Sequence, residues 1–473
     1  MTPHLPRHTT LLALLIALAF GSIGAESAGC GGALALDENA GVQGKPRAYD
    51  DPQILAAEDA LRDHRLRDAL AQYDDIARSG DVGSRGTAAA GRAVVTLMLL
   101  PDDPAVRATL VQHLGATRPD YDAERLIWAD GGVLYWLARG TSWEDNGQLQ
   151  GIRSLVADQL PWSSARLASP DAFLAGLSST GSEALDALMP VTATLQAIEA
   201  DLDRALADSA FERFYIPAEV FYDADMGLAL GRAELALLRG VVALARGALA
   251  FIAAYEHSWR LDHLAQAYWT AVLADPNHPE HDAALADVDA YLYSYLDDKL
   301  LRSFRDASRL ADARRALQRA LESWATALEL GRERSATGSS LQWQSGSATV
   351  SEQLAAFIRA VSSSMERPTA LPHTRPAAML NLSVFFGDGR LIPAATPLFE
   401  RRGEEWTDEQ GQPITKVHWD ISEAAIQHMT QGVLSPDGIE LSLELSDGGL
   451  EDFRRAVSGE LEANVSDAYL GAR

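Results

Sequence analysis

The sequence predicts a mainly α-helical chain: a degenerate helix-pair array, or a plain helical bundle, with a small β-containing piece at its C-terminal end. Three observations predict it. Apolar residues recur at 3-4 spacing from Asp51 to about residue 370. Alternation of period two is confined to residues after about 375. Segments of similar pattern return along the helical part. The chain has 473 residues, 47% of them hydrophobic, a share that fits a globular protein and is too high for a disordered one. Its net charge of −26 argues against nucleic acid as a partner, because phosphate contacts need clustered Lys and Arg. Lys45, Lys299 and Lys416 are the only lysines, so Schiff-base chemistry has few candidates.

The N-terminal 29 residues read as an export signal. Arg7 and His8 give a weakly basic start, and Leu11 to Phe20 is an apolar run too short to span a bilayer. Cys30 follows as the only cysteine of the chain, so no disulfide can form within it. Ser27-Ala28-Gly29-Cys30 resembles a bacterial lipobox, although Ser27 stands where Leu is preferred and Glu26 precedes it. That resemblance implies cleavage before Cys30, acylation of its thiol and a membrane anchor; two or three chains at ~0.8 kcal/mol per buried CH₂ suffice to hold it. Gly31 rather than Asp after the cysteine implies sorting to the outer membrane of the periplasm. The alternative is ordinary cleavage after Ala25, leaving a free thiol. Residues 30–50 are small and polar and read as a tether.

Residues 51–370 form the expected helical domain. Asp51-Pro52 supplies an N-cap and a first-turn proline, and Ser169-Pro170 repeats the logic. Leu66, Ala69, Leu70, Tyr73 and Ile76 form one face of a helix that ends at Gly80. Met226 to Tyr255 is apolar, but Arg232, Glu234, Arg239 and Arg246 interrupt it, each at a cost of ~2.5–3.5 kcal/mol in a bilayer centre. The arginines recur every seven residues, so the expectation is a helix wrapped by protein with one wet, charged edge. Leu310, Ala313, Leu317, Ala320, Leu321, Trp324 and Leu328 make another amphipathic stripe. In residues 371–473, Leu380 to Phe386, Ile414 to Ile421 and Gly438 to Leu445 are expected as strands. Turns are expected at 387–389, 435–438 and 447–449, and a helix at 450–457.

No catalytic residues are assigned. The chain lacks a Gly-x-Ser-x-Gly elbow, a His-Glu-x-x-His helix and a phosphate-cradling loop. His257, His263, His278 and His281 lie near carboxylates, but Pro279 interrupts the last pair, and a solvated loop explains them better than a metal site. No cofactor is implied. Aromatic density is the remaining signal. Tyr222, Tyr255, Trp259 and Trp269 bracket the apolar helix, and Tyr135-Trp136 lies in a separate segment. Such side chains serve cores and ligand pockets alike. These six are the candidate ligand-binding residues, for a hydrophobic small molecule or lipid.

Ala69-Tyr73-Ile76, Leu264-Tyr268-Ala271 with Pro276, and Ala313-Leu317-Ala320 resemble the second helix of a tetratricopeptide unit. Together with the lipobox and Leu134-Tyr135-Trp136-Leu137-Ala138, they resemble the lipoprotein T-component of tripartite periplasmic transporters. The resemblance implies a helical body with a ligand cavity, working beside a periplasmic binding protein as part of a transport system. The alternative from another class is a tetratricopeptide-like scaffold at the outer membrane whose concave face holds partner proteins.

Overall fold

A computed structural model describes residues 51–80, 82–113, 179–217, 220, 228–260, 262–263, 291, 293–336, 347–387, 389–407, 413–435 and 440–441. The fold is mainly α. Helix α1 (Pro52–Arg62) starts where the Asp51-Pro52 pair predicts: the Asp51 carboxylate accepts from the Gln53 amide at 2.9 Å. Helix α2 (Leu66–Ser79) buries Leu66, Ala69, Tyr73 and Ile76 and stops at Gly80. Helix α3 (Val82–Met98) follows, then a short α4 (Pro104–Ala108) that runs into a π-helical turn, Thr109–His113. Next come α5 (Gly181–Leu188) and α6 (Val191–Ala207). The long helices are α7 (Arg232–Ile252), α8 (Arg309–Ala336) and α9 (Ser347–Ser364).

The long helices stack in a row. α1 packs on α2, α2 on α3, α3 on α6, α6 on α7, α7 on α8 and α8 on α9, the α7–α8 pair being the most extensive. One core fills the space among α1, α2, α3 and α6, where the Tyr73 and Phe214 rings meet edge to face at 5.7 Å. Such a pair contributes ~0.5–1.5 kcal/mol beyond the area it buries. Gly91 of α3 lies against the Tyr73 ring, where a Cβ would come within 2.7 Å of it. A second core joins α8 and α9 to the C-terminal strands through Leu321, Leu328, Phe357, Val361, Leu371, Leu380 and Phe386.

Strands are not confined to residues beyond 375. An antiparallel hairpin of β1 (Arg213–Ile216) and β2 (Leu228–Gly231) sits between α6 and α7. It is short, so its alternation of buried Phe214 and Ile216 with Arg213 and Tyr215 spans only four residues. The apolar segment that begins at Met226 therefore contributes β2 before it turns helical at Arg232. In the C-terminal part, β3 (Thr369–Leu371), β5 (Ala378–Leu380) and β8 (Leu434–Ser435) form an antiparallel sheet, and β4 (Thr374–Arg375) pairs with β9 (Glu440–Leu441). The expected strand at Leu380 to Phe386 ends at Leu380, and α10 (Ser383–Phe386) replaces its remainder, because Phe386 reaches the second core from a helical turn. A nine-residue ribbon pairs β6 (Phe399–Thr407) with β7 (Pro413–Ile421), in register from Phe399 opposite Ile421 to Thr407 opposite Pro413. Helix α11 (Glu423–Thr430) then starts at Ser422, whose hydroxyl accepts from the Ala425 amide at 3.0 Å. Arg390 closes its other end, donating to the carbonyls of His428, Met429 and Gln431. The helix expected at 450–457 and the one expected after Ser169-Pro170 lie outside the described residues.

Candidate functional site

Helix α7 is the centre of the molecule, and its sequence explains why. Ala233, Leu235, Ala236, Val242, Ala243, Leu244 and Ala250 are buried. The helix is long and apolar enough to cross a membrane, yet its arginines are committed within the protein. Arg232 donates to the Asp208 carbonyl at 2.9 Å and to that of Leu206. Arg239 bonds Asp203 at 2.8 Å and the Ser323 hydroxyl at 2.9 Å. Arg246 holds Glu199 through two bonds of 2.7 and 3.1 Å. The stripe expected as a wet edge is thus a seam: Glu199 and Asp203, one turn apart on α6, face α7, and Arg319 of α8 pairs with both. Asp201, on the other side of α6, holds Arg92 of α3, which also reaches Asp74 of α2 at 2.6 Å. Burying these charges is tolerable only because each has its partner.

What faces outward on α7 is apolar. Leu237, Val241, Ala245, Ala248 and Ile252 line up at 3-4 spacing, with Val241 41% exposed and Ala245 exposed as well. The inner face is closed. Gly240 lies against the Trp324 indole and Gly247 against Leu317, so closely that a Cβ at either would overlap its neighbour. That packing leaves no room for a ligand between α7 and α8.

Two of the candidate aromatics lie just beyond the C-terminal end of α7, on different neighbours. Tyr255 is buried among Phe251 at 5.4 Å and Phe304 at 5.0 Å between ring centres. Burial pushes its phenol up to about 12, with the Arg390 backbone amide pulling the other way. Trp259 is half-buried, its ring lying over Gly181 at the start of α5. Its indole points at His257 Nδ1, 3.4 Å away, while His257 Nε2 sits 2.8 Å from the Ile252 carbonyl. Both contacts suit a neutral imidazole that donates from Nε2 and accepts at Nδ1. The backbone around Trp259 closes the start of α5: Gly181 N–H donates to the Trp259 carbonyl at 2.9 Å and Ser182 N–H to that of His257 at 3.0 Å. Thr180 and Glu183 complete a capping box there, and the Thr180 amide holds the Glu183 carboxyl below its usual range. Tyr255 is therefore a core residue and Trp259 a wedge that fixes α5. Cys30, Tyr135, Trp136, Tyr222 and Trp269 lie outside the described residues, as do His278 and His281. Among the described residues no group of three His, Cys, Asp or Glu side chains converges as a metal site.

Clefts open elsewhere among the described residues. One, of about 380 Å³, lies between the end of α2, α3 and the end of α6, lined by Arg78, Arg85, Gly86, Arg92, Arg204 and Asp208. Another, of about 180 Å³, lies beside Arg67, Asp102, Asp103 and Thr194. Reasoning from the sequence missed the first. The signal was available: basic residues in this chain are almost all arginine, and Arg78, Arg85 and Arg92 repeat the seven-residue interval of the α7 stripe. No family model, curated protein or solved structure matches the chain.

Proposed function

We propose that this chain is an exported lipoprotein, tethered at the periplasmic face of the outer membrane through Cys30, whose helical body is a scaffold for a partner protein. The observation that supports this reading is α7: closed against α6 and α8 by glycine–side-chain contacts and ion pairs, it turns an apolar stripe centred on Val241 outward. A row of helices each packed on its neighbours offers such a stripe on a rigid support, the logic of tetratricopeptide-like arrays. No catalytic role is proposed for any residue.

The second reading makes the protein the helical component of a transport system that binds a hydrophobic organic or lipid ligand beside a periplasmic binding protein. It draws on the same apolar stripe and on the aromatic segments around Tyr135, Trp136, Tyr222 and Trp269. A photo-crosslinking residue in place of Val241, tested in living cells, separates the two. The scaffold reading expects a discrete protein adduct that disappears with Val241→Asp. Native mass spectrometry of the purified chain showing a stoichiometric bound lipid, with no protein adduct at Val241, would replace it with the transport reading.

A further inference from the structure

We propose that the arginine-lined cleft between α2, α3 and α6 is a binding site for a small oxyanion-bearing ligand, carboxylate or phosphate, independent of the α7 surface. The walls come from three helices. Arg78 stands in the last turn of α2, Arg85 and Arg92 are two turns apart on α3, and Arg204 stands in the last turn of α6. Ala77, Gly86 and Ala89 complete the lining, and the cleft's volume of about 380 Å³ takes a small molecule.

Three of the four guanidiniums are held by carboxylates. Asp201, whose side chain is 6% exposed, holds Arg92 and Arg204, and Asp74 holds Arg78 and Arg92. Asp75, exposed on α2, lies 3.8 Å from Arg78. The Asp208 carboxylate, part of the lining, accepts the Gly86 amide at 2.9 Å and the Ala210 amide at 2.9 Å, so its charge is already solvated by backbone. A Cβ on Gly86 would overlap Asp208, which ties this glycine to that arrangement. Arg92 has all three nitrogens engaged by Asp201 and Asp74 and serves as a support; Arg204 and Arg85 keep donors to spare. Arg204 engages Asp201 through one Nη. Among the described residues Arg85 spends only its Nε, on the Gly80 carbonyl at 2.9 Å. Each guanidinium has five N–H donors in a planar fork, and such forks match carboxylate and phosphate oxygens two at a time. The chain's charge of −26 slows the approach of any anion, so recognition here rests on these short-range donors rather than on the long-range field.

The test is calorimetric titration of the full mature chain with inorganic phosphate and, separately, citrate at about 0.15 M ionic strength. Saturable binding of either with Kd below about 10 mM is expected. Arg85→Gln, at an exposed residue with no carboxylate partner among the described residues, should weaken it about tenfold at unchanged melting temperature. Arg315→Gln, on the exposed side of α8, should leave it unchanged. The two titrants show which oxyanion fits. The proposal is overturned if neither anion binds saturably, or if Arg85→Gln binds as the parent does.

Discussion

Tyr255 illustrates how one buried polar atom makes a residue informative. Its phenol is surrounded by Phe251 and Phe304, and its folded pKa of about 12 exceeds the ordinary value of 10. A raised pKa means that the folded state binds the proton more tightly than the unfolded chain does. The contribution is intact below pH 10 and is lost as pH rises toward 12, at up to ~1.4 kcal/mol per pH unit. Urea unfolding between pH 9 and pH 12 should show that slope in the parent and a flatter one in Tyr255→Phe; equal slopes would place the phenol in a wetter setting. Gly240 makes the complementary case. In a solvent-facing helix Gly→Ala would gain ~1 kcal/mol of propensity, but here the new methyl meets Trp324. Gly240→Ala should instead destabilise by roughly 1–3 kcal/mol, and Trp324→Phe should relieve part of that loss in a double-mutant cycle read by thermal denaturation.

At the scale of elements, the α6–α7–α8 seam decides which way α7 faces. An apolar helix can rotate about its axis with little change in buried area; three arginines seven residues apart remove that freedom, Arg239 and Arg246 by meeting the Asp203 and Glu199 carboxylates of α6 and Arg232 by donating to the Leu206 and Asp208 carbonyls at its end. Glu199 is 3% exposed and serves both Arg246 and Arg319. Glu199→Gln should cost roughly 3 kcal/mol, because it leaves Arg246 with a neutral partner and Arg319 with Asp203 alone. Replacing the pair together, Glu199→Leu with Arg246→Met, should recover most of the loss in denaturant unfolding, since an apolar pair needs no desolvated charge. A double variant no more stable than Glu199→Gln would mean that apolar packing cannot replace the ion pair at this place. Asp297 shows the same economy of carboxylates at a loop. Its side chain accepts the Leu398 and Phe399 amides and pairs with Arg302 at 3.2 Å, pinning the start of the β6–β7 ribbon.

At the scale of the whole molecule, the row of helices and the tether combine into one expectation. If Cys30 is acylated, an alkyne fatty-acid analogue should label the parent protein in cells and not Cys30→Ser, which should be released from the membrane fraction as a folded chain. Equal labelling of both would assign the N-terminal segment to ordinary cleavage after Ala25. Because the long helices pack on one another through cores of their own, the body should remain folded without its anchor.

Much of the helical part was legible in the sequence. The Asp51-Pro52 cap, the Leu66-Ala69-Tyr73-Ile76 face and the Leu310-to-Leu328 stripe each appear in the structure, because 3.6-residue periodicity and capping chemistry act within a dozen residues. The β1–β2 hairpin, the end of β5 at Leu380 and the charged strand β6 were not legible. A four-residue strand carries too short an alternation, and Glu400 to Glu405 carries no apolar alternation at all; their pairing is decided across the sheet. For the candidate site, aromatic density marked Tyr255 and Trp259 but could not separate a core ring from a wedge on Gly181, which depends on what packs from the far side. The sequence by itself determined the periods, the caps, the acidic balance and the seven-residue arginine interval. Only the tertiary structure decided that the interval points inward to Glu199 and Asp203 and that Val241 points outward, and only it brought Arg78, Arg85, Arg92 and Arg204 to one cleft. The physical reason is that charges and rings interact through space at a few ångströms, whatever their separation along the chain.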